Sequence, residues 1–234
     1  MSKSPARKHR PPAATPVTIA EQAGLLPVRP LTKAECEKAR RVLMRRDPVL
    51  GAAIKELGKC TIYDSRTHHP FVSLTSALTS QQLSGKAAAT IFNRVVDLVG
   101  GRENLTPANV LAADQQKLRD AGLSWQKISY IRDLSERVSD GRLVLAELED
   151  QPDAQVIEAI TAVKGFGVWS AEMFLMFRLN RPDIFPVGDL GIVKGTQKLL
   201  GMKSRPSPRT MLRAAERWRP YRSVAAWYLW RILD

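Results

Sequence analysis

Two short segments bring chemically capable residues close together. Val163-Lys164-Gly165-Phe166-Gly167-Val168-Trp169-Ser170-Ala171 ends one helical run and begins another, so Gly-x-Gly forms a tight hairpin between them. Glycines there allow positive φ and let another backbone approach closely. The following helix turns its free amides and positive dipole end outward, which suits a phosphate. Alone, the pattern is weak: the loop is too short for a nucleotide-binding Gly-rich loop, and no strand precedes it. Downstream, Arg181-Pro182-Asp183-Ile184-Phe185-Pro186-Val187-Gly188-Asp189-Leu190-Gly191 puts Asp189 at the start of the next helix. Two roles are open to it. It is a helix N-cap, or it is a carboxylate at the mouth of a cleft, where it stabilises an oxocarbenium-like sugar and orients or deprotonates water. Asp183, between Pro182 and Pro186, reads as a turn or capping residue.

These segments need a scaffold, and the periodicity makes it helical. Thr32-Lys33-Ala34-Glu35 has capping-box form, and Asp47-Pro48 is an N-cap followed by proline at the first helical position. Residues 70–82 put Phe71, Leu74, Ala77 and Leu78 on one face; Ser84 opens a run with Ala88, Ile91, Val95 and Leu98. Ser124 precedes Ile128, Ile131, Leu134 and Val138, a run closed by Gly141. Further runs cover 155–163, 169–179, 190–200, 209–217 and 223–233. Glycines at 58, 100, 101, 122 and 141 separate them, and no stretch alternates with period two. The expected fold is all-α, with nine or ten helices and no solenoid repeat.

Composition narrows the partners. The chain has 234 residues, 44% hydrophobic and 25% charged, with a net charge of +13. That is enough chain for a core, with ordinary globular composition. The excess charge is unevenly placed. Residues 194–234 hold ten basic and two acidic side chains, residues 1–30 five against one, and residues 31–193 are nearly balanced. A basic terminal stretch is the footprint of a polyanion partner. Residues 1–30, with six prolines and no apolar period, read as a flexible basic arm. No run of 18 apolar residues exists, so no membrane partner is expected, and the basic first ten residues lack the apolar stretch of a secretory signal. Cys36 and Cys60 read as two reduced thiols of a cytoplasmic protein; two cysteines cannot supply an all-thiolate metal site.

The hairpin, the Phe185-Pro186-Val187-Gly188-Asp189 turn and the segment Leu78-Thr79-Ser80-Gln81-Gln82-Leu83-Ser84-Gly85-Lys86-Ala87-Ala88 together resemble the helix–hairpin–helix DNA glycosylase superfamily. The terminal Trp218-Arg219-Pro220-Tyr221-Arg222-Ser223-Val224-Ala225-Ala226-Trp227-Tyr228-Leu229-Trp230 resembles its 3-methyladenine DNA glycosylase II branch. The likeness runs from about residue 35 to residue 234 and is to the compact helical versions without a β-rich N-terminal domain.

By that resemblance, Asp189 matches the catalytic aspartate. Gly165 and Gly167, with Lys164 and Ser170 beside them, match the hairpin that holds a DNA phosphate. Trp169 and Trp230, with Tyr228 a weaker neighbour, match the base pocket, where aromatic faces attract a cationic base. Gln81 or Gln82 enters the gap left by a flipped base; a polar helix end is the plainer alternative. Trp169 occupies the position at which lyase-type relatives carry a nucleophilic lysine, and an indole cannot form a Schiff base. Lys164 and Lys194 are near in sequence but not at that position. Iron–sulfur relatives carry four cysteines near the C-terminus, and none follows Cys60 here.

The resemblance therefore implies a monofunctional enzyme that flips alkylated purines out of duplex DNA and hydrolyses them off, chiefly 3-methyladenine and secondly 7-methylguanine. It implies a monomer without cofactor or metal, working at the nucleoid or in the nucleus. Two lobes are expected, residues 70–177 and residues 31–69 plus 181–234, with DNA across the cleft. Lys198, Lys203, Arg205, Arg209 and Arg213 would track phosphates with little sequence preference. The alternatives are a non-catalytic helix–hairpin–helix DNA-binding protein and an oxidised-base glycosylase. His68 and His69, adjacent in sequence, have no assigned role.

Overall fold

Thr32 caps the first helix by accepting the Glu35 amide at 3.2 Å, as its sequence predicts. Asp47 caps the second, its Oδ1 accepting from the Val49 and Leu50 amides at 3.1 Å each. The computed structural model describes residues 30–65 and 69–234. His68 and, apart from Pro30, the proposed basic arm lie outside the described residues.

Among the described residues there are twelve α-helices and no strand. They are α1 (Lys33–Arg46), α2 (Pro48–Leu57), α3 (Pro70–Ser80), α4 (Gly85–Leu98), α5 (Pro107–Ala112), α6 (Gln115–Asp120), α7 (Trp125–Ser139), α8 (Asp153–Thr161), α9 (Val168–Met173), α10 (Leu190–Leu199), α11 (Pro208–Ala215) and α12 (Arg222–Arg231). The expected nine or ten falls short because α5 and α6 have six residues each, too few to display a helical period. The run expected over 169–179 divides into α9 and a π-helical turn, Phe174–Arg178. No helix among the described residues is long and apolar enough to cross a membrane.

Packing relates parts distant in sequence. Helices α1 and α2 pack on each other and on α12, and α12 packs on α10. Asp47 joins these layers: its Oδ2 accepts the indole N–H of the fully buried Trp218 at 2.9 Å, across 171 residues. Helix α3 packs against α4 and α7, α5 against α7, and α8 against α9. Cys36 and Cys60 are both buried free thiols. His69 caps α3, its Nδ1 accepting the Phe71 amide at 3.3 Å.

Candidate active site

Asp189 caps a helix and is also held from outside that helix. As N-cap of α10, its Oδ1 accepts the Ile192 amide at 2.8 Å. The same oxygen accepts the indole N–H of Trp230 at 2.8 Å, and Oδ2 accepts that of Trp169 at 2.8 Å. Three N–H donors thus hold a half-buried carboxylate, two on Oδ1 and one on Oδ2.

Two glycines make the arrangement sterically possible. A Cβ on Gly191 would lie 2.5 Å from Trp230 Cδ1 and 3.0 Å from Asp189 Oδ1. A Cβ on Gly195 would lie 2.3 Å from the Leu229 carbonyl oxygen, so α10 and α12 touch backbone to backbone there. Spaced four apart, they clear one face of α10 and let α12 deliver Trp230 to Asp189. The Gly-x-x-x-Gly spacing was the sequence signal for this approach, and sequence reasoning missed it.

A cavity of about 700 Å³ opens beside the carboxylate. Trp169 lines it while bonding Asp189, and Phe166, Ser170, Phe174 and Phe177 supply further wall. Trp230 stacks on Phe177, ring centroids 5.7 Å apart. Gln81 and Gln82 line it from the end of α3. Tyr228 takes no part. It is fully buried, and its hydroxyl donates to the Gly58 carbonyl at 2.7 Å, so its assignment to a base pocket is withdrawn. Two residues before Trp230 on a helix, it points to a different face. Burial also holds its phenol above the usual range.

The carboxylate competing with Asp189 is spoken for. Asp183 Oδ1 accepts from Arg222 Nε at 2.8 Å, and its Oδ2 from Arg219 and Arg222 at 3.0 Å each. These ion pairs anchor the chain before α12. They also consume basic residues counted toward the C-terminal charge, as do Arg217 near Asp47 and Arg231 beside Asp234. The outward charge of that stretch comes from the exposed Lys194, Lys198, Lys203, Arg205, Arg209 and Arg213.

At the hairpin, Gly165 takes φ +88°, and a Cβ there would meet the Tyr130 ring at 2.2 Å. Gly167 is extended at φ −116° and caps α9 with open space around its Cα. Positive φ is therefore required at one of the two glycines, not both. The Lys164 amide faces inward and donates to Asp133 Oδ2 at 2.9 Å, while its exposed side chain lies 3.8 Å from Asp133 Oδ1.

Glu172 is a second residue that sequence reasoning missed. It lies one turn after Trp169 and is 3% exposed. Burial first, and the neighbouring Asp189 second, raise its carboxyl pKa to about 7. Its signal was an acid on an otherwise apolar helix face. Among the described residues, no group of three or more His, Cys, Asp or Glu gathers as metal ligands do.

The hairpin, the carboxylate and most of the cavity wall lie inside a stretch that matches a known protein family. Residues 75–220 match the HhH-GPD superfamily base excision DNA repair protein model. The chain belongs to the HhH-GPD superfamily. This HhH-GPD chain is 36% identical over 163 residues to DNA-3-methyladenine glycosylase 1 of Schizosaccharomyces pombe, covering 69% of this chain and 72% of that protein. It is similar to the crystal structure of a DNA-3-methyladenine glycosidase from Bacillus halodurans, with TM-score 0.76 and 39% identity over 82% of this chain and 88% of that one. It is also similar to the Schizosaccharomyces pombe 3-methyladenine DNA glycosylase (Mag1) in complex with abasic DNA. There the TM-score is 0.69 and the identity 31%, over 83% of this chain and 95% of that chain.

Proposed function

We propose that this HhH-GPD protein is a DNA glycosylase that hydrolyses alkylated purines, chiefly 3-methyladenine and secondly 7-methylguanine, from duplex DNA. The observation that carries the reading is the Asp189 carboxylate, held by two indole N–H groups and a helix amide beside an aromatic cavity.

Flipping a nucleotide out of the stack costs about a few kcal/mol. Gln82 is the residue we assign to the gap it leaves. It stands at the turn with φ +59°, and its exposed side chain has no hydrogen-bond partner among the described residues. Gln81 is engaged, its Nε2 donating to the Gly165 carbonyl at 2.9 Å. The backbone amides of Gly165 and Gly167 grip a phosphate, the Phe166 amide being given to the Val163 carbonyl at 3.2 Å, and the exposed lysines and arginines after Asp189 add salt-dependent affinity.

Once flipped, a methylated purine carries positive charge, and an aromatic face over that cation contributes roughly 0.5–2 kcal/mol. Trp169, in the cavity wall, supplies such a face, and Trp230 backs the wall by stacking on Phe177. The C1′–N bond breaks with both electrons going to the base, which leaves neutral. Asp189 stabilises the positive sugar, water adds at C1′ and loses a proton, and an abasic site remains. No amine adds to the sugar, because an indole stands where the lyase lysine would.

The working unit is a monomer with lobes of residues 70–177 and of residues 31–69 plus 181–234, acting where chromosomal DNA lies. A gel assay on duplexes carrying single defined lesions tests this. Strand breaks only after alkali, and no adduct trapped by borohydride, are the expected results. Breaks without alkali, or a trapped adduct, would return the oxidised-base lyase reading.

A further inference from the structure

Helix α7 fastens both DNA-facing loops, and it does so with residues to which neither the motifs nor the chemistry gave a role. Lys127 Nζ donates to the carbonyls of Thr79 at 2.6 Å and Gln81 at 2.7 Å, where α3 ends. Those carbonyls have no helix amide to receive, and an ammonium there also complements the negative end of α3. One turn further along α7, the Tyr130 ring closes against Gly165. Another turn on, Asp133 Oδ2 holds the Lys164 amide at 2.9 Å. Gln81 Nε2 then ties the turn directly to the hairpin through the Gly165 carbonyl.

The turn carrying Gln82 and the hairpin are therefore one braced unit, with Lys127 as the pin on the Gln82 side. Lys127 is partly buried, which lowers its ammonium pKa while leaving both carbonyl contacts charge-assisted. A surface lysine that served only as a phosphate contact would extend outward. This one turns back onto its own chain.

We propose that Lys127 is a positioning residue for base flipping: by gripping the Thr79 and Gln81 carbonyls it aims Gln82 into the duplex at a fixed distance from the hairpin's phosphate. The proposal rests on the glycosylase reading above, and it adds a separate requirement. Lys127 matters where a partner base resists flipping and matters little where none does.

The test compares single-turnover excision of 3-methyladenine from two duplexes, one with the lesion paired and one with it opposite an abasic site. Lys127→Met, which keeps the aliphatic stem and loses the donors, is expected to slow the paired duplex about 10-fold more than the other, as loss of charge-assisted hydrogen bonds allows. Lys127→Arg, which keeps donors and charge, is expected to restore most of that difference. In a Gln82→Ala background the Lys127→Met effect is expected to vanish, because the two act through one step. Equal slowing on both duplexes, additivity with Gln82→Ala, or no slowing would each overturn the proposal. Thermal melting separates these from unfolding, and if Lys127→Met melts out, Lys127→Gln is read for the same ratio. Absence of excision by the unaltered chain would instead overturn the glycosylase reading.

Discussion

Trp230 donates its indole N–H to the same Asp189 oxygen that caps α10, so one atom joins the start of α10 to the end of α12 across 41 residues. A cap alone needs one donor. The second donor, and the third from Trp169 on the other oxygen, orient the carboxylate rather than merely ending a helix.

Asp189→Asn is expected to reduce excision at least about 100-fold, a loss of the size seen when one aimed electrostatic group is removed from an active site. An amide loses the charge and turns an NH₂ toward one of the three N–H donors, a mismatch none of them can relieve. Single-turnover release of 3-methyladenine measures it. Affinity for abasic duplex DNA should change little, and near-normal excision would show that the carboxylate is not catalytic.

Trp230→Phe keeps the ring against Phe177 and deletes the N–H. A hydrogen bond to a charged group contributes about 1.5–3 kcal/mol, so excision should slow by about 10- to 100-fold while the fold persists. The cap from Ile192 remains to hold Oδ1. A variant as fast as the parent would mean that the indole serves packing alone.

Gly191→Ala and Gly195→Ala should separate site from scaffold. At 191 the added methyl meets a tryptophan ring that can shift, so activity should fall more than stability. At 195 it meets a backbone carbonyl, and overpacking of this kind costs about 1–3 kcal/mol. Thermal melting alongside excision rates checks both, with Gly195→Ala expected to be the less stable. Equal melting temperatures would contradict the close approach of α10 and α12.

Glu172 makes stability depend on pH. Its folded pKa, about 7, is raised above the ordinary 4.5. The neutral buried carboxyl is therefore fully favourable below about pH 4.5, and its contribution is lost as pH rises toward 7, because the unfolded chain ionises first. Glu172→Gln stays neutral throughout. Its stability relative to the parent should rise by about 3 kcal/mol between pH 4 and pH 8, read by denaturant melts at both. A difference independent of pH would place Glu172 in contact with water.

What the sequence alone determined is short-range. Thr32, Asp47, Ser124 and Asp189 cap helices because each cap is a bond from a side chain to an amide two or three residues away. The hairpin was legible as a Gly-x-Gly break between two helical runs, and Asp189 as a residue to single out because its motif carries a resemblance. Tertiary structure decided the rest. Asp183 and Asp189 look alike locally, and only Arg219 and Arg222, some 36–39 residues on, take Asp183 out of play. Gln81 and Gln82 are adjacent, and the Gly165 carbonyl, 84 residues away, tells them apart. Tyr228 and Trp230 share one helix, yet helical rotation sends one to the Gly58 carbonyl in the core and the other to Asp189. Periodicity reports that a residue has a face; which neighbour that face meets depends on helices the chain brings together only when folded.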